Sequence, residues 1–129
     1  MTLENHRVKI ENGRADYAYN IVANTIQKNS PEKNSEYRSY IKKLPSIIQV
    51  NGLGQALAFC FSKGGEYKRI YDQIYCWLKI NNKEYFPNEN EEFVKAVINM
   101  DSKEYRVITM EVLALLNWMR RFVDGMVKK

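Results

Sequence analysis

The chain has 129 residues, 45% hydrophobic and 27% charged, and a net charge of +5. That length fits one domain, which buries roughly two-thirds of the surface its unfolded chain exposes, and the balance of apolar and charged residues excludes a disordered polymer. No uncharged stretch approaches the ~20 apolar residues of a membrane span, and the opening MTLENHRVKIENG lacks the apolar centre of a secretory signal, so the expected address is the cytoplasm.

Apolar residues at Ala15, Ala18, Ile21, Val22, Thr25 and Ile26 recur every three or four positions, which predicts a helix from about Arg7 to Lys28. Gly13 weakens its first half by about 1 kcal/mol relative to alanine. The run NSPEKNSE interrupts the pattern, and either Ser30, with Pro31 at the first helical position, or Ser35 caps the next helix. There Tyr37, Tyr40, Ile41, Leu44, Ile47 and Ile48 keep to one stripe, with Arg38, Lys42 and Gln49 on one flank and Lys43 on the other. Pro45 falls inside this pattern, where it should kink the helix or mark a restart, and Asn51–Gly52 is a stop signal. Leu53 to Ser62, LGQALAFCFS, carries no charge; a helix apolar on every side is a buried one, which puts this segment at the centre of the bundle. Gly64–Gly65 end it. Tyr67, Ile70, Tyr71, Ile74, Trp77 and Leu78 make the next amphipathic face, closed by Asn81–Asn82 and Pro87. Asn88 with Glu91 reads as an N-cap pair ahead of Phe93, Ala96, Val97 and Met100; Asp101 with Glu104 repeats the device before a last helix that runs to about Val127. With no alternating β-branched run, the expected fold class is all-α: a single domain over residues 1–129, a bundle of five or six helices with a buried central helix.

No catalytic constellation assembles from these residues. Gly52–Leu53–Gly54 lacks the third glycine and the preceding strand of a dinucleotide fingerprint. The single histidine, His6, falls among N-terminal residues expected to fray, so neither a Ser-His-Asp nor a Cys-His arrangement can be built. Glu89, Glu91 and Glu92 look like paired carboxylates but read more simply as an acidic first helical turn. Cys60 and Cys76 form no CxxC pair, and structural zinc takes about four Cys/His ligands. Both thiols sit in apolar helical patterns and are expected to be buried and free, a disulfide between them being the alternative. No enzyme activity, metal, cofactor or small-molecule substrate is therefore expected.

Binding has better material. Residues 1–50 carry eight Lys/Arg against five Asp/Glu, residues 51–100 six of each, and residues 101–129 six against four. A basic excess of this size permits a polyanionic partner without requiring one. On the last helix Ile108, Val112, Leu115, Leu116, Met119, Phe122 and Val123 form the core face, while Arg106, Met110, Leu113, Asn117, Arg120 and Arg121 share a second side. Basic groups mixed with Met and Leu suit an interface, and equally a solvated face with stray hydrophobes. The nine tyrosines could stack on bases, but most fall on core stripes and read as packing.

Two segments narrow the field. KKLPSIIQVNGLGQALAF (Lys42–Phe59) and YRVITMEVLALLNWMRRF (Tyr105–Phe122) resemble the signature stretches of the small subunit of type III-B CRISPR effector complexes, the Cmr family, and RADYAY (Arg14–Tyr19) is similar to a third, weaker one. The resemblance implies a non-catalytic helical bundle whose copies stack into a minor filament beside the crRNA-carrying backbone and the large subunit, in antiviral defence. It implies crRNA and target RNA as partners, together with other Cmr subunits and further copies of the chain, with RNA cleavage left to the backbone subunits. Such a subunit should touch phosphates and sugars, since guide pairing supplies the sequence specificity. From the matched segments the expected RNA contacts are Arg14, Lys42, Lys43, Arg106, Arg120 and Arg121, and the expected subunit contacts are Met110 and Leu113. Two rivals stand beside this reading: a stand-alone DNA-binding regulator, using Asn51–Gly54 as the turn of a helix-turn-helix, and a purely structural adaptor. The regulator is disfavoured because Leu53 to Ser62 offers only Gln55 and Ser62 as polar groups for a major groove.

Overall fold

A computed structural model of the chain describes the backbone of residues 3–127 and the side chains of residues 9–127. Among these residues there are six α-helices and no strand: α1 (Leu3–Lys28), α2 (Pro31–Asn51), α3 (Leu53–Lys63), α4 (Gly65–Asn81), α5 (Phe93–Ile98) and α6 (Ser102–Met126), with a short 3-10 turn at Lys83–Tyr85. No helix is long and apolar enough to cross a membrane among the described residues. The all-α class and the helix count agree with the reading of the sequence.

The boundaries follow from local chemistry. Helix α1 starts at Leu3, earlier than Arg7, because its polar first turns contribute nothing to the periodicity; His6 sits on its first turn, and its side chain lies outside the described residues. Ser30 is the cap of α2: its hydroxyl accepts from the Lys33 N–H at 3.3 Å, and Pro31 takes the first helical position. Ser35 is inside the helix. Helix α2 runs through Pro45 as one element, because buried Leu44 and Ile48 on either side anchor it to the core. Gly52, at φ +87°, ends α2 and opens α3, its N–H donating to the Ile48 carbonyl at 2.8 Å. The box that opens α6 is complete: the Glu104 N–H donates to the Asp101 carboxylate at 2.8 Å, and the Asp101 N–H to the Glu104 carboxylate at 3.3 Å. Asn88 behaves otherwise. It closes a turn, accepting from the Asn90 and Glu91 N–H groups, and Glu92 is the residue before α5. The acidic cluster therefore lies outside the first turn of α5, and the Glu92 carboxylate accepts from the Tyr71 hydroxyl.

The buried central helix is α4, and not the uncharged α3. Helix α4 buries Tyr67, Ile70, Tyr71, Ile74, Trp77 and Leu78, together with Glu66 and Gln73. Helix α3 buries only Leu53, Ala56, Leu57 and Cys60, leaving Gln55, Ala58, Phe61 and Ser62 exposed. Lack of charge on α3 reflects neutral residues of mixed polarity on its outer face; α4 is central because its aromatic side chains span the space between several neighbours. Gln73 shows how the middle of the bundle is wired. The Tyr37 hydroxyl donates to its Oε1 at 2.7 Å, its Nε2 donates to Thr25 Oγ1 at 2.8 Å, and the Tyr17 hydroxyl donates to its backbone carbonyl at 2.6 Å. This satisfied network fixes α1, α2 and α4 against one another. Of the two free thiols Cys60 is buried, but Cys76 is exposed, a correction to the expectation that both are buried.

Candidate nucleic-acid interface

Helix α6 carries the densest set of expected contacts. Its inner face, from Ile108 to Val123, is buried, with Phe122 partly so. Arg106, Met110, Asn117, Arg120 and Arg121 are exposed on the other side, as helical spacing requires. Met110 is 66% exposed and Val107, one turn earlier, 38%. Leu113 is half-buried and packs against the core, so it is a weaker candidate for a free contact than Met110. Among the described residues no carboxylate lies within ion-pair distance of Arg106, Arg120 or Arg121; Arg120 donates only to Asn117 Oδ1, at 3.3 Å.

Adjacent lysines on α2 go to different places. Helix α2 lies antiparallel to α6: Gly54, just beyond its end, donates its N–H to the Tyr105 hydroxyl at 2.8 Å, whereas Arg38 and Lys42 reach Asp124. Lys42 Nζ and Arg38 Nε lie 3.2 and 2.9 Å from Asp124 Oδ1. Partial desolvation pushes the Asp124 carboxyl up, but Lys42 and Arg38 outweigh it and hold it below the ordinary carboxylate range. Spacing puts Arg38 on this flank without marking it as a contact; its pairing with Asp124, far away in sequence, is what draws it in. Lys43 lies on the opposite flank of α2, exposed, and among the described residues it engages no carboxylate.

Arg14 is spoken for. Its Nε and Nη2 donate to the two oxygens of Glu111, each at 2.8 Å, and it also pairs with Glu11. The Glu111 carboxylate accepts in addition from Trp77 Nε1 at 2.8 Å, and the Arg14 side chain is only 11% exposed. Hydrogen bonding to Glu111 raises the Arg14 pKa further against the opposing effect of burial. This fork ties α1, α4 and α6 together, and it separates Arg14 from the exposed cations.

The chemistry on offer is that of a cationic surface with apolar patches. Among the described residues no group of three or more His, Cys, Asp or Glu could hold a metal ion. Eight of the nine tyrosines are buried or packed against the core and one, Tyr19, is exposed.

Comparison with known proteins agrees with the two signature segments. The family model described as CRISPR-associated protein (Cas_Cmr5) matches residues 10–126. A Thermus thermophilus protein, the CRISPR system Cmr subunit Cmr5, is 30% identical over 99 residues, covering 76% of this chain and 81% of the relative. The crystal structure of a CRISPR-associated Cmr5 family protein from the same organism superposes with a TM-score of 0.72 at 26% identity, over 92% of this chain and 97% of the other. A shared helical fold and a family match over nearly the whole length lead to one conclusion: the chain belongs to the Cmr5 family, the small subunits of the Cmr effector complex.

Proposed function

We propose that this protein is a non-catalytic subunit of a type III-B RNA-targeting complex, in which it stacks with copies of itself and lines the path of crRNA and target RNA. Its family places it with Cmr complex subunits. The observation that carries the RNA contact is the outer face of α6, where Arg106, Arg120 and Arg121 are exposed and engage no carboxylate among the described residues. Cations that are not neutralised internally are free to release counterions from a phosphate backbone, which makes binding salt-dependent and indifferent to sequence. Lys42 adjoins that surface through Asp124, and Lys43 is a further exposed cation on the other flank of α2; Arg14, held by Glu111, contributes to the fold instead. Met110 is the subunit contact of this reading, being a large flexible apolar side chain left open beside charged neighbours.

The test is retention of target RNA by the assembled complex across a salt series. Arg106→Ala combined with Arg121→Ala should weaken retention roughly tenfold and make the salt dependence shallower by about 1.4, two contacts at ~0.7 each for single strands. Unchanged retention at every salt concentration would refute the RNA contact and leave the structural adaptor as the better reading. Sequence-specific capture of duplex DNA would favour the regulator.

A further inference from the structure

Asp124 occupies an unusual place on this surface. Arg38 and Lys42, one helical turn apart on α2, both approach the same oxygen of its carboxylate. Arg120 and Arg121, four and three residues earlier on α6, share its stretch of helix surface. One acid is thus held by two cations, with two more on neighbouring positions of its own helix that make no ion pair with it among the described residues. A carboxylate oxygen held by an arginine and a lysine presents what a backbone phosphate oxygen would present there. The fit is incomplete: Arg38 Nε is buried and, although close to Oδ1, is out of hydrogen-bond alignment with it. The carboxylate supplies the charge without satisfying the donor. The Lys42 and Asp124 side chains remain 40% and 41% exposed, so an incoming anion can reach both.

We propose, resting on the RNA-path reading above, that Asp124 is a built-in competitor of the RNA backbone. In the free subunit its carboxylate fills the anion seat formed by Arg38 and Lys42; when RNA docks, a phosphate takes that seat and Asp124 is displaced. The device keeps the lone subunit a poor ligand for stray polyanions. The Arg38–Lys42 pair becomes available only where neighbouring contacts hold a phosphate close enough to compete.

The experiment compares full-length variants by fluorescence anisotropy with a 20-nucleotide oligouridylate over a sodium chloride series beginning near 20 mM. Asp124→Asn should bind roughly three- to tenfold more tightly at low salt, with a salt dependence steeper by about 0.7 for the one phosphate gained. Adding Arg38→Gln and Lys42→Gln should remove the gain. Asp72→Asn, which makes the same change in net charge beside Lys68 on α4, controls for overall charge and should bind like the parent. Affinity for Asp124→Asn no higher than the parent's, in protein of unchanged helicity, overturns the proposal, and so does an equal gain in Asp72→Asn. If those results come with weakened binding by the Arg106→Ala, Arg121→Ala pair, the competitor idea alone fails; if that pair binds like the parent, the RNA-path reading fails with it.

Discussion

Glu111 gathers three donors, two from Arg14 and one from Trp77, at a place where both charged side chains are about nine-tenths covered. Removing the carboxylate leaves the indole N–H without its acceptor and the largely covered guanidinium with Glu11 alone, so Glu111→Ala should cost about 2–4 kcal/mol, read as a lower midpoint in chemical denaturation. An unchanged midpoint would mean water replaces the acid at no cost. Arg14 is basic and lies in a segment resembling a family signature, which is why sequence places it among the RNA contacts; the long-range pairing that internalises it leaves no local trace. The cysteines make a similar point. Burial pushes the Cys60 thiol up to about 12, whereas Cys76 is exposed, so one thiol per native chain should react with iodoacetamide at neutral pH and two after denaturation. Cys76→Ser should abolish the native reaction, and persistent labelling in that variant would contradict the burial of Cys60. Asp124 titrates below its ordinary range in the folded chain, so its clamp contributes stability above that range and loses it as pH falls through the lowered value. Any stability difference between the parent and Asp124→Asn should therefore close on acidification.

At the level of elements, caps and stops are the most legible features. Ser30–Pro31, Asn51–Gly52, Gly64–Gly65 and Asp101–Glu104 all stand where their chemistry requires, because each acts on backbone groups within a few residues. Gly52 combines φ +87° with a close approach, an added Cβ lying 3.1 Å from the Tyr105 hydroxyl. Gly52→Ala should cost about 1–2 kcal/mol, more than a glycine-to-alanine change in an ordinary loop, with Tyr105→Phe recovering part of it by removing the obstructing oxygen. If Gly52→Ala is neutral in a thermal melt, the α2–α3 turn is not under this constraint. What sequence misjudges is depth. The absence of charge points to α3 as the centre, yet an uncharged face can be solvated, as Gln55, Ala58, Phe61 and Ser62 are, and α4 carries charged groups while lying deepest. Glu66 explains how that is possible: its carboxylate is covered but accepts from Arg69 and from Asn29, so a charge in the central helix is satisfied at its end.

For the whole molecule, the fold class and the family are both readable, the first from periodicity and the second from two segments that together hold the α2–α3 turn and the outer face of α6. The proposed interface is readable only in outline. Helical spacing puts Arg106, Met110, Arg120 and Arg121 on one side of α6, and the structure keeps them exposed there, but which cations are neutralised depends on partners contributed by other helices. That is why Arg38 enters the surface and Arg14 leaves it. The half-buried packing of Leu113 likewise makes Met110→Asp a cleaner test of stacking than any change at Leu113: it should lower co-assembly in size-exclusion chromatography while leaving the melting temperature within a few degrees. The most direct test of the central claim is a gentle affinity purification of the tagged chain from its native host, with mass spectrometry of the proteins and sequencing of the RNA that come with it. Recovery of the other Cmr subunits together with repeat-derived small RNA is the result expected here. Recovery of the chain alone, or with promoter DNA, would contradict it.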